Sequence, residues 1–348
     1  MSDVQSEHEE KSVMRLILSF MSVLFLFAVS PAEEPRGEKV PAARIHEGEL
    51  SVLFRDNSES PKNFLSGIDA LFNVKDAPGF DAFDPDQRGA SAGLNYEHII
   101  CGHPDLHNIF SPRIGPQGLY RLPDGKSVVL VREASDDPRS VSSAFRYTVT
   151  APHYIDFEFR CVPHDAKRFG SRGYAIFFWA DYMNDVAEVP LHFRGVKRDG
   201  GPETWIAADA PEGHKDWDKG GTYRHVSADP LEYDADHNVK LNIWSYDYPR
   251  YTLPFYYGRT AHDMVYILMF DRSHTETDEM RFSIFKFKLP KRQRPAWDFQ
   301  YVIHRVESNK EYGFRGRAVW KKFVSPEDCL KEYKTWAARR AIRSTEGR

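Results

Sequence analysis

The chain has 348 residues, 47 Lys and Arg against 51 Asp and Glu, a formal net charge of −4, and 41% hydrophobic and 14% aromatic residues. That balance leaves no electrostatic footprint for nucleic acid, since the basic runs that stand out are Lys291-Arg292-Gln293-Arg294 and the C-terminal tail. Three cysteines, Cys101, Cys161 and Cys329, allow at most one disulfide and exclude a disulfide scaffold, so large hydrophobic strands must supply the stability.

In chain order, residues 1–32 read as a signal peptide. Arg15, with Lys11 upstream, precedes an apolar run from Leu16 to Val29, and the small residues Ser30 and Ala32 stand where a signal peptidase reads. The run is short for a membrane span, so cleavage is expected, and the mature protein is exported to the periplasm or beyond with no membrane attachment. Met14 is an alternative start, because residues 1–13 are polar and acidic. Residues 33–60 are charged, hold two prolines, and read as a linker with one short edge segment.

Residues 61–348 form the folded domain. Its clearest strand is residues 153–163, where Ile155, Phe157, Phe159 and Cys161 fall on one face and Asp156, Glu158 and Arg160 on the other. Similar runs lie at 127–133, 145–151, 240–249, 264–272, 281–290, 297–306 and 312–324, separated by Gly, Pro, Asp and Asn. An apolar strand from Tyr174 to Trp179 breaks into Asp181, Tyr182, Asn184 and Asp185, then returns, as a hairpin, through a strand carrying His192 and Arg194. With at least ten strands and no βαβ alternation, the expected fold is all-β, a large antiparallel sandwich. One helix closes the chain over 326–342: Ser325 caps, Pro326 takes the first position and Asp328 completes a capping box.

Several segments resemble one group of proteins: NYEHI (95–99), FFWADYMN (177–184), HFRG (192–195), YGRTAHDMVYILMFD (257–271), PAWDFQYVI (295–303) and residues 311–336. They look like a group of uncharacterised exported bacterial proteins, associated with polysaccharide-degrading bacteria and a galactose-mutarotase-like β-supersandwich. The resemblance covers most of residues 90–340 and implies that fold and a polysaccharide or oligosaccharide partner. It carries over no assigned activity.

The residues themselves offer two constellations. Trp244, Tyr246, Tyr248, Tyr251, Phe255, Tyr256 and Tyr257 are interleaved with Asp247, Arg250 and Arg259, and Pro249 and Pro254 interrupt them. Aromatic planes with arginine forks suit sugar rings, so Tyr248, Tyr256 and Tyr257 are expected to line an open groove, and Arg259, Trp179 and Tyr182 to bind substrate with them. Around the 181–194 connection, His192 is a candidate general base, and Asn184 and Arg194 are candidates to hold a substrate carboxylate. His98, Tyr246 and Tyr256 complete the expected acid–base set.

Metal is not expected. His98, His103, Asp105 and His107 read as loop residues rather than as a ligand set. Asp234, Asp236 and Asn238 open like a calcium loop, but Val239 and Ser245 stand where an EF-hand needs Gly and Glu, leaving a structural divalent ion as the alternative to a solvated turn. A polysaccharide lyase using His and Tyr is the favoured reading. The alternatives are a non-catalytic glycan-binding protein and a hydrolase with paired carboxylates, Asp181 and Glu188 among the candidates.

Overall fold

The computed structural model describes residues 37–58, 65–85, 93–103, 109–209, 219–232, 245–271, 278–286 and 294–346. The first strands are β1 (Glu38–Val40), β2 (Ala42–Glu47), β3 (Leu50–Arg55), β4 (Gly67–Asn73) and β5 (Asn95–Cys101), followed by the short helix α1 (Ser111–Ile114). Then come β6 (Gly118–Arg121), β7 (Ser127–Arg132), β8 (Val141–Thr150), β9 (Tyr154–Pro163) and β10 (Ala175–Ala180). The central strands are β11 (Leu191–Val196), β12 (Thr204–Ala208), β13 (Lys219–His225), β14 (Ser245–Tyr251) and β15 (Phe255–Thr260). The chain ends with β16 (Met264–Phe270), β17 (Asp278–Lys286), β18 (Pro295–Ile303), β19 (Tyr312–Lys322) and helix α2 (Pro326–Glu346).

Among the described residues, sixteen strands form one sheet. Its order is β1-β6-β7-β8-β9-β19-β16-β15-β11-β14-β13-β17-β18-β10-β5, with β12 added beside β11. Every described pairing is antiparallel except β13 with β14, which run parallel. The sheet folds back on itself, so strands far apart in this order face each other. Phe159 on β9 meets Trp179 on β10 at 4.7 Å, Phe314 on β19 meets Tyr301 on β18 at 5.2 Å, and Phe270 on β16 meets Phe299 on β18 at 4.9 Å. Offset and edge-on rings of this kind fill the space between two sheet layers. The expected fold class, a large and mainly antiparallel β-sandwich with one long C-terminal helix, is the one observed.

One glycine shows how close the layers come. A Cβ at Gly258 on β15 would lie 2.4 Å from two carbons of the Trp297 ring, so only glycine admits the indole here.

The expected linker is corrected. Residues 38–55 hold three strands, with Ile45, Val52 and Phe54 buried. β2 and β3 form a hairpin around Gly48 (φ 57), and β2, β3 and β4 make a separate three-stranded sheet. Phe54 packs on Tyr147 of β8 at 5.2 Å. Flanking charges hid the short apolar alternation.

The expected hairpin around residues 181–190 is corrected too. β10 pairs with β5 and β18, whereas β11 pairs with β12, β14 and β15. The polar connection therefore crosses between distant parts of the sheet.

Helix α2 runs to Glu346, four residues past the expected end, and Ser325 Oγ accepts from the Asp328 backbone N–H at 3.2 Å. Cys329 and Trp336 bury against Phe255, Tyr257, Val265, Ile267 and Val319, the face of β15, β16 and β19 turned away from the sandwich core. That cover explains why β16 is buried on both faces. No helix among the described residues is long and apolar enough to cross a membrane.

Candidate active site

β18 alternates Trp297, Phe299, Tyr301 and Ile303 toward the core with Ala296, Asp298, Gln300 and Val302 on the opposite face, and all are buried. The neighbouring strands keep this register. His98 on β5, Phe178 on β10, Gln300 on β18 and Arg281 on β17 form one cross-strand row, and Asp298 opposes Ser283 in the next. Cross-strand partners share a face, so this outer surface gathers ionisable and amide side chains.

A β-bulge adds one more. His98 opposes Phe178 and Tyr96 opposes Trp179, leaving Glu97 as the extra residue of β5. A bulge re-aims the side chain it inserts, and here it brings Glu97 beside His98. One carboxylate then serves three partners. Tyr182 donates its hydroxyl to Glu97 Oε1, Arg113 Nη1 lies 2.9 Å from the same oxygen, and His98 Nδ1 lies 3.4 Å from Oε2. The His98 ring is stacked on Phe178 at 4.2 Å and edge-on to Phe110 at 5.4 Å, which fixes its plane.

The protonation states follow from these contacts. Burial alone would raise the Glu97 pKa, but His98, the Arg113 charge and the Tyr182 hydroxyl outweigh it and hold it below the usual value. Burial, then the Glu97 charge, pushes the Tyr182 phenol well above its usual value, so it keeps its proton. Asp298 accepts the Asp181 backbone N–H at 2.9 Å. Burial, reinforced by the charges of Glu97 and Asp181, raises the Asp298 carboxyl well above its usual value. Their surroundings thus push the Glu97 and Asp298 carboxyls in opposite directions, the separation of acid and base that proton-transfer sites use.

The expected site residues divide into groups. His98 and Tyr182 meet in this cluster. His192, Arg194, Tyr257 and Arg259 meet elsewhere, on the face that α2 covers. His192 opposes Tyr257 and stacks on it at 4.9 Å, with Glu188 3.3 Å from His192 and 3.6 Å from Arg259. Arg259 lies over Phe323 at 4.4 Å, and Arg194 pairs with Glu203 at 2.8 Å. Burial, aided by Arg259, lowers the His192 pKa against the opposing pull of Glu188. β11 and β5 are six places apart in the sheet order, about 29 Å along the sheet at about 4.8 Å per strand. Each histidine has its own carboxylate partner, Glu97 for His98 and Glu188 for His192, so the two belong to separate clusters.

The other expectations fall in the interior. Tyr256 is fully buried and donates its hydroxyl to the Trp297 carbonyl at 2.9 Å, so it is a core residue and not an acid. Trp179 is also fully buried, stacked on Phe299 at 5.2 Å. Asn184 donates its amide N–H to the Asp81 carbonyl at 2.9 Å, tying the connection to the residues after β4. Of the expected groove, Tyr248 is exposed at 37%, with Arg198 and Arg250 each 5.5 Å from its ring. Tyr257 lies under α2. Alternation explains the correction, because β15 turns Tyr256 inward and Tyr257 toward the helix. Asp181 is in the core and Glu188 in the His192 cluster, so they do not form a carboxylate pair. Trp244, the side chain of Tyr246, Asp105, His107 and the Asp234–Asn238 segment lie outside the described residues. No group of three potential metal ligands occurs among the described residues.

Sequence reasoning missed Glu97, Arg113, Asp298 and Gln300. The alternation of Trp297-Asp298-Phe299-Gln300-Tyr301 carried a signal, since it gives a central strand a polar second face.

No protein-family model and no curated protein matches the chain. Among solved structures it is similar to the GalM/aldose epimerase homologue from C. elegans, at 8% identity and a TM-score of 0.41, over 82% of this chain and 100% of that one. It is similar to the galactosidase domain of an alpha-galactosidase-sucrose kinase, at 10% identity and a TM-score of 0.41, over 82% and 42%. It is also similar to a mutant of heparan sulfate lyase from Pedobacter heparinus, at 8% identity and a TM-score of 0.39, over 91% and 42%. Likenesses this distant assign neither a family nor an activity.

Proposed function

We propose that this chain is an exported carbohydrate-active enzyme with a galactose-mutarotase-like supersandwich, cleaving an acidic polysaccharide by elimination at the Glu97 cluster. The observation that carries the reading is the single carboxylate of Glu97 held jointly by His98, Tyr182 and Arg113. Glu97 favours a proton on Nδ1 of His98, which leaves Nε2 as the acceptor, as in other dyads where a carboxylate orients a base. His98 then takes the proton next to the sugar carboxyl, the bond to the leaving oxygen breaks as the ring double bond forms, and Tyr182 gives that oxygen its proton. Arg113 and the protonated Asp298 supply positive charge and a hydrogen bond for the substrate carboxylate. The exposed ring of Phe110 and the signal-like residues 14–32 support the sugar class and the export.

A second reading rests on the opposed protonation of Glu97 and Asp298, which would also serve a hydrolase with one base and one acid. Incubating the purified protein with a panel of uronic-acid polysaccharides separates the two. Absorbance of new unsaturated ends reports elimination, and reducing ends without it report hydrolysis. Glu97→Gln, His98→Ala and Tyr182→Phe should each lower turnover by about 100-fold or more. If all three keep full activity, the cluster is not the site. Sugar retention without either product leaves a glycan-binding protein.

A further inference from the structure

Gln300 is fully buried, yet neither its amide Nε2 nor its Oε1 has a hydrogen-bond partner. Ser283, 3% exposed, has an unpaired hydroxyl as well. Because Ser283 opposes Asp298 and Gln300 opposes Arg281, the two are diagonal neighbours on one face. Proteins rarely leave such groups unpaired without water or a ligand, since each then loses its hydrogen bonds to solvent for nothing. Three unsatisfied polar atoms on diagonal neighbours of one face, about 7 Å apart, therefore mark a place built for something with several hydrogen-bonding groups.

The location narrows what that is. Gln300 shares a row with His98 and Phe178, two strands from His98, or about 10 Å. A short oligosaccharide spans that distance. A primary amide presents a donor edge and an acceptor edge in one plane. A carboxylate matches only its N–H groups and repels its oxygen, and an ammonium matches only the oxygen. Two adjacent sugar hydroxyls, each donor and acceptor, match both edges at once, and Ser283 can take a third group.

We propose that Gln300 and Ser283 form a subsite that reads a neighbouring pair of hydroxyls on a neutral portion of the sugar chain, beside the acid–base cluster. This rests on the carbohydrate reading of that cluster. Gln300→Met keeps the side-chain volume and removes both polar atoms. The free variant should melt at a higher temperature than wild type, because an unpaired amide has been replaced by an apolar group. By isothermal titration calorimetry with methyl glycosides of glucose, galactose, mannose and glucuronic and galacturonic acids, the variant should bind about tenfold more weakly, the loss of two neutral hydrogen bonds. Deoxy analogues lacking either hydroxyl should bind wild type and variant alike, and Ser283→Ala should show a smaller loss.

A lower melting temperature overturns the proposal, since it means that the amide is already paired within the protein. So does a raised melting temperature with unchanged affinity, which assigns the amide to buried water, or a wild type that binds none of these sugars. If Gln300→Met loses binding but no polysaccharide is cleaved, the subsite stands and the acid–base reading falls. If cleavage needs His98 while Gln300→Met binds as wild type does, the reverse holds.

Discussion

Asp181 illustrates what burial does to a single residue. Fully enclosed, it accepts the Leu94 N–H at 2.6 Å and the Tyr266 hydroxyl at 3.3 Å, but burial dominates and pushes its pKa from 3.8 up to about 8. The folded state therefore holds a proton that the unfolded chain has released. This contribution to stability is fully present below about 3.8 and is lost as pH rises through about 8. Asp81, raised to about 7 by burial, acts in the same direction. Glu332 acts oppositely: burial alone would raise it, yet His153, Lys321 and Tyr154 hold it at about 2. Its contribution is present above 4.5 and lost as pH falls through about 2. Melting temperature should therefore decline from mildly acid to alkaline pH, and Asp181→Asn should flatten that decline. Melts at pH 5, 7 and 9 check it, and an equally steep decline in the variant would contradict the assignment.

At the scale of elements, α2 covers the outer face of β15, β16 and β19. Phe255 and Tyr333 stack at 4.9 Å, and Lys321 reaches Asp328 at 2.7 Å and Glu332 at 2.5 Å. Trp336, 4% exposed, anchors the helix, so Trp336→Ala should cost about 3 kcal/mol. Ser325→Ala should cost about 1 kcal/mol through the lost cap. Denaturant titration measures both, and a Trp336→Ala variant as stable as wild type would show that the helix is dispensable. β15 meets a different constraint on its inner side. Gly258→Ala drives a methyl group into the Trp297 ring, and the overpacking should cost about 2–3 kcal/mol. Additional replacement of Trp297 by Leu should recover part of that loss.

Across the whole molecule, two polar clusters share one continuous sheet but not one site. The Glu97 cluster lies on the face of β5, β10 and β18, and the Glu188–His192–Arg259 cluster lies six strands away. On the proposed function, His192→Ala should keep turnover within about twofold of wild type, whereas His98→Ala abolishes it. The ratio of their kcat values on one polysaccharide reads this directly. Equal losses would mean that the second cluster takes part.

The sequence by itself determined what depends on neighbours along the chain. Strand period two in Ile155–Cys161 marked a half-buried strand, and Ser325-Pro326 with Asp328 marked the helix start, because both are local rules of side-chain direction and capping. The same rules presented His98 and Tyr182 as polar residues near apolar strands. Which polar residues meet was decided only by the tertiary structure, because that depends on register and strand order. The bulge at Glu97 exists only against its partner strand. The direction of Tyr256 and Tyr257 depends on which face of β15 meets the core, and alternation alone leaves that choice open. Strand order likewise separates His192 from His98. Asp298 and Gln300 became part of a buried polar face only once β10 and β17 flanked β18, because burial of a sheet face comes from distant segments and not from the strand itself.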